Sequence, residues 1–333
     1  MRSYMRFVSK ASAIAALLVS SLLAAAAGHA QVEIKLAYAL AVNSHYGAAA
    51  TAWAETAEKA SGGKLQFKHF PSSALGGERE TVESLQLGTL EAVIVSSGTL
   101  SNFVPEVGVT DIPFLFRDLA HARSVLDGPI GQNLLDRFPA RNLIALAWGE
   151  QGFRHLTNSR HPVGTPEDMK GLKIRTMENP VHIAAFKALG AAPTPMAWPE
   201  VIGALQQGTI DGQENPMSVI VSAKLAQVQK HLTLTGHVYS PAVLMVSSKL
   251  WNSLDDADRK ALADGAKAGV VAMRAYVDEV ERAGLENVRA AGMEVVVLDD
   301  RTKAAFQKAL APAYVQYYGK YGKELIQSIA NAQ

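Results

Sequence analysis

The chain has 333 residues, 32 basic and 31 acidic side chains, and no cysteine. This near-balance gives no reason to expect nucleic acid or an anionic membrane surface as a partner. The lack of cysteine excludes disulfides, thiolate metal sites and thiol catalysis together. Stability must come from packing, and this length buries enough apolar surface for two lobes.

Residues 1–30 read as a secretory leader. Arg2, Arg6 and Lys10 precede an apolar run from Ala11 to Ala27, and Gly28 and Ala30 supply small residues at the −3 and −1 positions. The run is short of the roughly 20 residues that span a bilayer. The expectation is cleavage after Ala30 and export to the periplasm of a Gram-negative bacterium. The leader holds three of the basic residues and none of the acidic ones, so the mature chain carries a net charge of −2.

In chain order, Val32–Leu36 alternates as a strand does. A helix is predicted for Tyr46–Ala60, with Ala49, Trp53 and Ala57 on one stripe and Gly62-Gly63 closing it. Leu65–Phe70 is a second strand. Gly76-Gly77 opens a helix through Leu87, which Gly88 ends. Leu90–Ser96 is a nearly continuous apolar run, suited to a strand covered on both faces. Strand and helix alternate, which favours an α/β lobe with a largely parallel sheet. Helical patterns run from Leu119 to Phe138, and Leu143–Trp148 is a buried strand. Gly149–Arg154 is flanked by glycines and suits a crossing between lobes. Thr165–Asp168 is a capping box with proline at the first helical position.

Gly171–Pro216 repeats the strand–helix alternation and ends in an amide-rich turn, Gln213–Pro216. After Pro241 come a strand (Ala242–Ser247) and a helical pattern from Asp255 to Ala291. That helix would be roughly 50 Å long, too long for one lobe with a radius of gyration of about 14 Å. It should lie across both lobes, with a kink at Gly265 or Gly269. A strand over Met293–Leu298 and helices over Arg301–Gln333 finish the chain. The expected lobes are 31–151 with 241–280, and 152–240 with 281–333. Glu80–Glu91 and Glu200–Asp211 match at a constant offset of 120, which suggests lobes of like construction.

The motifs of serine hydrolases, zinc proteases, P-loops and dinucleotide folds are absent. The nine histidines form no pair with metal-ligand spacing; His155/His161 and His231/His237 are each six apart. Asp255, Asp256 and Asp258 read as a solvated helix cap. No cofactor and no metal are expected, and binding without chemistry is favoured. Arg175 lies where the strand Leu172–Ile174 gives way to a loop, where ligands of open α/β sheets sit. Its guanidinium matches a carboxylate edge-on, or it forms a surface ion pair. Asn215, held extended by Pro216, is either a second carboxylate donor or a turn cap. Arg154 is a cleft cation or an interlobe salt bridge. Trp198 covers a ligand or staples a helix.

Together these residues resemble one family. Leu172–Arg175, Leu189–Ala191, Pro193–Met196, Glu200-Val201, Ala204–Gln206 and Asp211–Pro216 follow in the order of the solute-binding subunits of TRAP transporters, the DctP-like group. Phe70–Leu75, Ser97–Pro105, Val228–Lys230 and Leu234–His237 extend the resemblance. It implies a two-lobed periplasmic binding protein (type II-like) of α/β class, with hinge strands and one long helix spanning both lobes. It implies an organic acid bound in the cleft, lobes that close on it, and delivery to small and large permease subunits driven by an ion gradient. By resemblance Arg175 makes the carboxylate salt bridge, Asn215 holds the same group, Arg154 is a second cleft arginine and Trp198 packs on the ligand. Ser96, with Ser97 beside it, stands where sialic-acid binders have glutamate; His45 and Glu178 match variable cleft positions.

Trp148, Phe153, Trp198, Tyr239 and Phe114 are candidates to line an apolar cleft. A small mono- or dicarboxylate, including 2-oxo, 2-hydroxy and aromatic acids, is expected rather than a polyol-rich sugar acid. A monomer is expected. The alternatives are the ligand-binding module of a sensor system and a periplasmic enzyme with Glu150 or Glu178 as base beside Arg175.

Overall fold

A computed structural model describes residues 31–332 of the chain, so the leader lies outside the described residues. β1 (Val32–Tyr38), α1 (His45–Ala60), β2 (Leu65–Phe70), α2 (Glu78–Leu87) and β3 (Ala92–Ser96) build the first half of a lobe. β1 runs parallel to both β2 and β3. Every residue of β3 is buried, which accounts for its apolar sequence. The Ser44 hydroxyl caps α1 by accepting the Gly47 N–H. Next come the short α3 (Ser97–Leu100), then α4 (Leu119–Asp127) and α5 (Pro129–Leu135). The pattern predicted to run through Phe138 is broken by Gly128-Pro129, since proline cannot continue a helix.

β4 (Leu143–Asn158) extends ten residues beyond its predicted end. The glycine-flanked segment is part of this strand. β5 (Lys173–Thr176), α6 (Pro180–Ala188), β6 (Ala192–Pro195), α7 (Trp198–Gln207) and β7 (Gly212–Pro216) follow, then α8 (Met217–Ser222). The residues predicted as an amide-rich turn are therefore β7, wholly buried between β4 and β5. Pairing on both sides overrides their turn propensity. The offset of 120 is structural: β3 and β7, and the glycines Gly88 and Gly208 that end α2 and α7, both at φ 69°, correspond position by position.

β8 (His231–Ser247) is 17 residues long and antiparallel to β4. At about 3.3 Å per residue, each of these strands reaches about 50 Å, enough to serve both lobes. β8 pairs β3 near its end and β9 near its start. Within the described residues the sheet order is β2-β1-β3-β8-β4-β7-β5-β6, with β9 added to β8. α9 (Ser248–Ser253) leads to α10 (Asp256–Ala290), then β9 (Glu294–Val297), α11 (Asp300–Ala309), α12 (Ala311–Tyr321) and α13 (Lys323–Asn331).

α10 runs 35 residues as one helix. Its glycines serve close packing. A Cβ on Gly265 would lie 2.7 Å from the Trp53 carbonyl oxygen, and one on Gly269 2.9 Å from that of Ala49. At the far end, a Cβ on Gly284 would lie 2.6 Å from Met217 of α8. The helix thus clamps α1 of one lobe and α8 of the other.

Two expectations need correction. Asp258 is 4% exposed and bonded to Lys64, so the acidic cluster is only partly solvated. The last helices, assigned to the second lobe, pack Ala313, Tyr317, Ile326 and Ile329 into one core with Val107, Ile112 and Leu126 of the first. Arg117 fastens them by donating to the carbonyls of Ala330 and Ala332. Tyr317 also reaches the second lobe, donating to the Val181 carbonyl.

Candidate functional site

Between the lobes, at the carboxyl ends of β1, β3, β5 and β7, lies a cavity into which α2 and α7 point their N-termini. Glu78 and Arg79 come from α2 and Trp198 from α7; Ser96, Gln151, Arg154, Arg175 and Asn215 come from strands. The pseudo-symmetry meets here: Glu78 and Trp198 are 120 positions apart, as are Gly77 and Ala197, and a Cβ on Gly77 would lie 3.5 Å from that of Ala197.

Arg175 is 3% exposed. Its Nε and Nη2 donate to the Met196 carbonyl at 3.1 and 2.8 Å, and Trp198 lies 5.9 Å away. The Nη1–Nη2 edge is left for a ligand, and no carboxylate among the described residues lies within ion-pair distance. Burial pushes the guanidinium down to about 10, only partly countered by the more distant Glu214 and Glu78.

Arg154 is equally buried but fully engaged. Its Nε and Nη2 hold Glu214 at 2.5 and 2.8 Å, Nη2 donates to the Glu214 carbonyl, and Nη1 donates to Ser240. Burial would raise the Glu214 carboxyl, but Arg154, His237 and His182 hold it well below the usual range. Arg154 therefore lines the cavity with its charge already neutralised. Asn215 donates from Nδ2 to Gln213, whose own amide donates to Thr157, so a buried chain orients it.

The other predicted residues divide. Ser96 lines the cavity and accepts from the Gln151 amide. Glu178 lies at the rim. Ser97 turns away and donates to Asp111. His45 is buried at the start of α1 against Tyr46, outside the lining. Glu150 and Tyr239 are bonded to each other, with Glu150 also held by Arg123, on the opposite side of the sheet. The cause is a register shift between Glu150 and Gly152: Gln151 is an extra residue on β4. It turns Gln151 and Arg154 towards Ser240 and the cleft, and Glu150 away. Of the candidate aromatics, only Trp198 lines the cavity. Trp148 and Phe153 belong to the first core, and Phe114 to a separate apolar pocket.

Sequence reasoning missed Glu78, Tyr46, Thr99, Gln151 and Met177 in the lining and Glu214 behind it. The 120-residue offset carried a usable signal for Glu78, because it pairs that residue with Trp198.

The family model described as bacterial extracellular solute-binding protein, family 7 (DctP), matches residues 36–320. The chain belongs to this family. A TRAP periplasmic solute-binding protein from Bordetella bronchiseptica, with density attributed to pantoate, is 59% identical. It matches with a TM-score of 0.89 over 91% of this chain and all of its own. One from Polaromonas sp. JS666, bound to D-erythronate, is 51% identical, with a TM-score of 0.89 over 91% of this chain and 99% of its own. The 2,3-diketo-L-gulonate-binding periplasmic protein of Escherichia coli is 38% identical over 81% of this chain and 83% of its own. Members of the family are periplasmic solute-binding proteins with two lobes that bind organic acids and work with TRAP membrane permeases. Among the described residues of this solute-binding protein, no helix is long and apolar enough to cross a membrane.

Proposed function

We propose that this solute-binding protein takes an organic carboxylate onto the free edge of Arg175, with Asn215 supporting the same group. In this reading it closes on the acid and presents it to the small and large permease subunits. It is a monomer, exported after cleavage of its leader, and it performs no chemistry on its solute. The carrying observation is the buried, unpaired guanidinium facing the cavity. A fall from 12.5 to about 10 corresponds to about 3 kcal/mol against the charged form. A bound carboxylate removes that penalty, so the closed form favours the loaded state. Of the two bases an enzyme reading offers, Glu150 is committed to Arg123 and Tyr239, and Glu178 lies at the rim beside Arg79.

Calorimetry with organic acids tests this. Arg175→Ala and Arg175→Lys should both lose at least about tenfold in affinity, because lysine lacks the bidentate fork. A lysine variant within threefold of the parent would refute the clamp.

A further inference from the structure

His182 of α6 is 1% exposed and lies between two buried carboxylates. Its Nε2 is 3.6 Å from Oδ1 of Asp111, and its Nδ1 is 3.8 Å from Oε1 of Glu214. Neither ring nitrogen has a hydrogen-bond partner among the described residues, and neither does Oδ2 of Asp111. Asp111 ends the 3-10 segment Pro105–Asp111 of the first lobe, and its Oδ1 accepts from Ser97 of α3. His182 and Glu214 belong to the second lobe. The other charged or titratable groups around them are Arg154 of β4 and His237 of β8, both bonded to Glu214, and Tyr321 of α12, which lies in the field of Asp111. Burial lowers His237 and raises Tyr321, so neither supplies a charge. Arg154 cancels Glu214. Asp111 is fully buried, and among the described residues His182 is the one basic side chain within 4 Å of it. Without a proton on His182 the cluster therefore holds one uncompensated negative charge.

We infer that closing on the solute takes up one proton from solvent, which His182 holds between Asp111 of the first lobe and Glu214 of the second. This rests on the closing of the lobes and on the carboxylate reading of Arg175. A neutral imidazole has one N–H; the protonated ring has a donor on each nitrogen. Each nitrogen here faces a carboxylate, so the charged ring suits the site on both sides. A buried carboxylate without a cation is costly, and the proton removes that cost. Arg175, whose field also reaches Glu214, cannot supply the charge in the loaded form, because the bound acid takes it. When the lobes part, Asp111 leaves with the first lobe and His182 faces only the neutral pair of Glu214 and Arg154. The closed form thus binds a proton that the open form does not. Lower pH then favours the closed, loaded protein, within the range of about pH 5 to 8 where imidazoles change charge.

The test is calorimetry on the mature protein with pantoate, D-erythronate, galactonate and D-glucuronate, whose carboxylates stay ionised throughout that range. With the tightest binder, titrations in buffers of different ionisation enthalpy give the protons taken up on binding. The parent should take up at least about 0.3 proton at its maximum, and its affinity should rise at least about threefold from about pH 8 to about pH 5.5. His182→Asn and Asp111→Asn should each lose most of the uptake and rise less than about twofold. Where a variant does not fold, histidine Cε1–H resonances of the parent decide: one must titrate at higher pH with the acid bound than without. No uptake in the parent, uptake in either variant within about 0.1 proton of the parent's, or no such resonance overturns the inference. Those results leave Arg175 and closure standing. An unchanged scattering radius at saturation overturns closure and this inference together, and binding of none of these acids overturns the carboxylate reading with them.

Discussion

Replacing Gly98, which does not itself line the cavity, with alanine tests closure through its contact with the lining residue Met177. Gly98 lies on α3 of the first lobe, and a Cβ there would sit 2.6 Å from Sδ and 3.1 Å from Cε of Met177, and 3.5 Å from Nδ2 of Asn179. Favourable contact between heavy atoms needs about 3.5–4.0 Å, so the overlap with sulfur is about 1 Å. All three neighbours belong to the second lobe, beside the Asn102–Glu178 hydrogen bond that also bridges the lobes. The penalty therefore falls on the closed form. Overpacking of this kind costs about 1–3 kcal/mol, which weakens solute binding by about 5–150-fold. Calorimetry should show that loss. On the closure proposed above, in which the ligand-free lobes part at this contact, the ligand-free protein should melt within about 2 °C of the parent. Adding Met177→Ala removes the obstructing sulfur and should recover part of the affinity. If Gly98→Ala binds within twofold of the parent, the two lobes are not held together at this contact.

Other expectations concern the buried charges. Glu214→Gln leaves Arg154 buried without its anion and should cost about 3–5 kcal/mol in urea unfolding; a loss below about 1 kcal/mol would refute the pairing as structural. Burial pushes His45 and His155 down to about 3, His155 also through His237 and Lys303, against 6.5 for an exposed imidazole. Between about pH 6.5 and 3 the unfolded chain binds these protons and the folded one does not. Each therefore lowers stability by up to about 1.4 kcal/mol per pH unit as pH falls through that window. His155→Asn should reduce the pH slope of the unfolding free energy, and an identical slope would refute the assignment.

Much of the fold was legible because its signals are local. The alternation of Val32–Leu36, the apolar run before Ser96, the glycines ending α2 and α7 and the long helical pattern after Asp255 each act within a few residues. The 120-residue offset was legible as well, and it marks the correspondence of β3 with β7. The ends of β4 and β8 were not legible, because polar residues in a strand paired on both sides look like a turn. The last helices were misplaced because their amphipathic pattern says which face is buried, not against which core.

At the site, residue types alone identified Arg175 and Asn215 as candidates, and their order with the surrounding motifs pointed to the family. Local chemistry determined that much: a fork-shaped cation and an amide at the ends of neighbouring strands. Only tertiary structure decided which charges are spent and which are free. Arg154 and Arg175 are both buried arginines in one cleft, yet one is neutralised by Glu214 and the other is left open. Glu150 and Glu78 are both acids, yet one extra residue on β4 turns the first out of the cleft, while the start of α2 brings the second in. Coulomb and hydrogen-bond energies depend on distances between residues far apart in the chain, and the fold alone sets those distances.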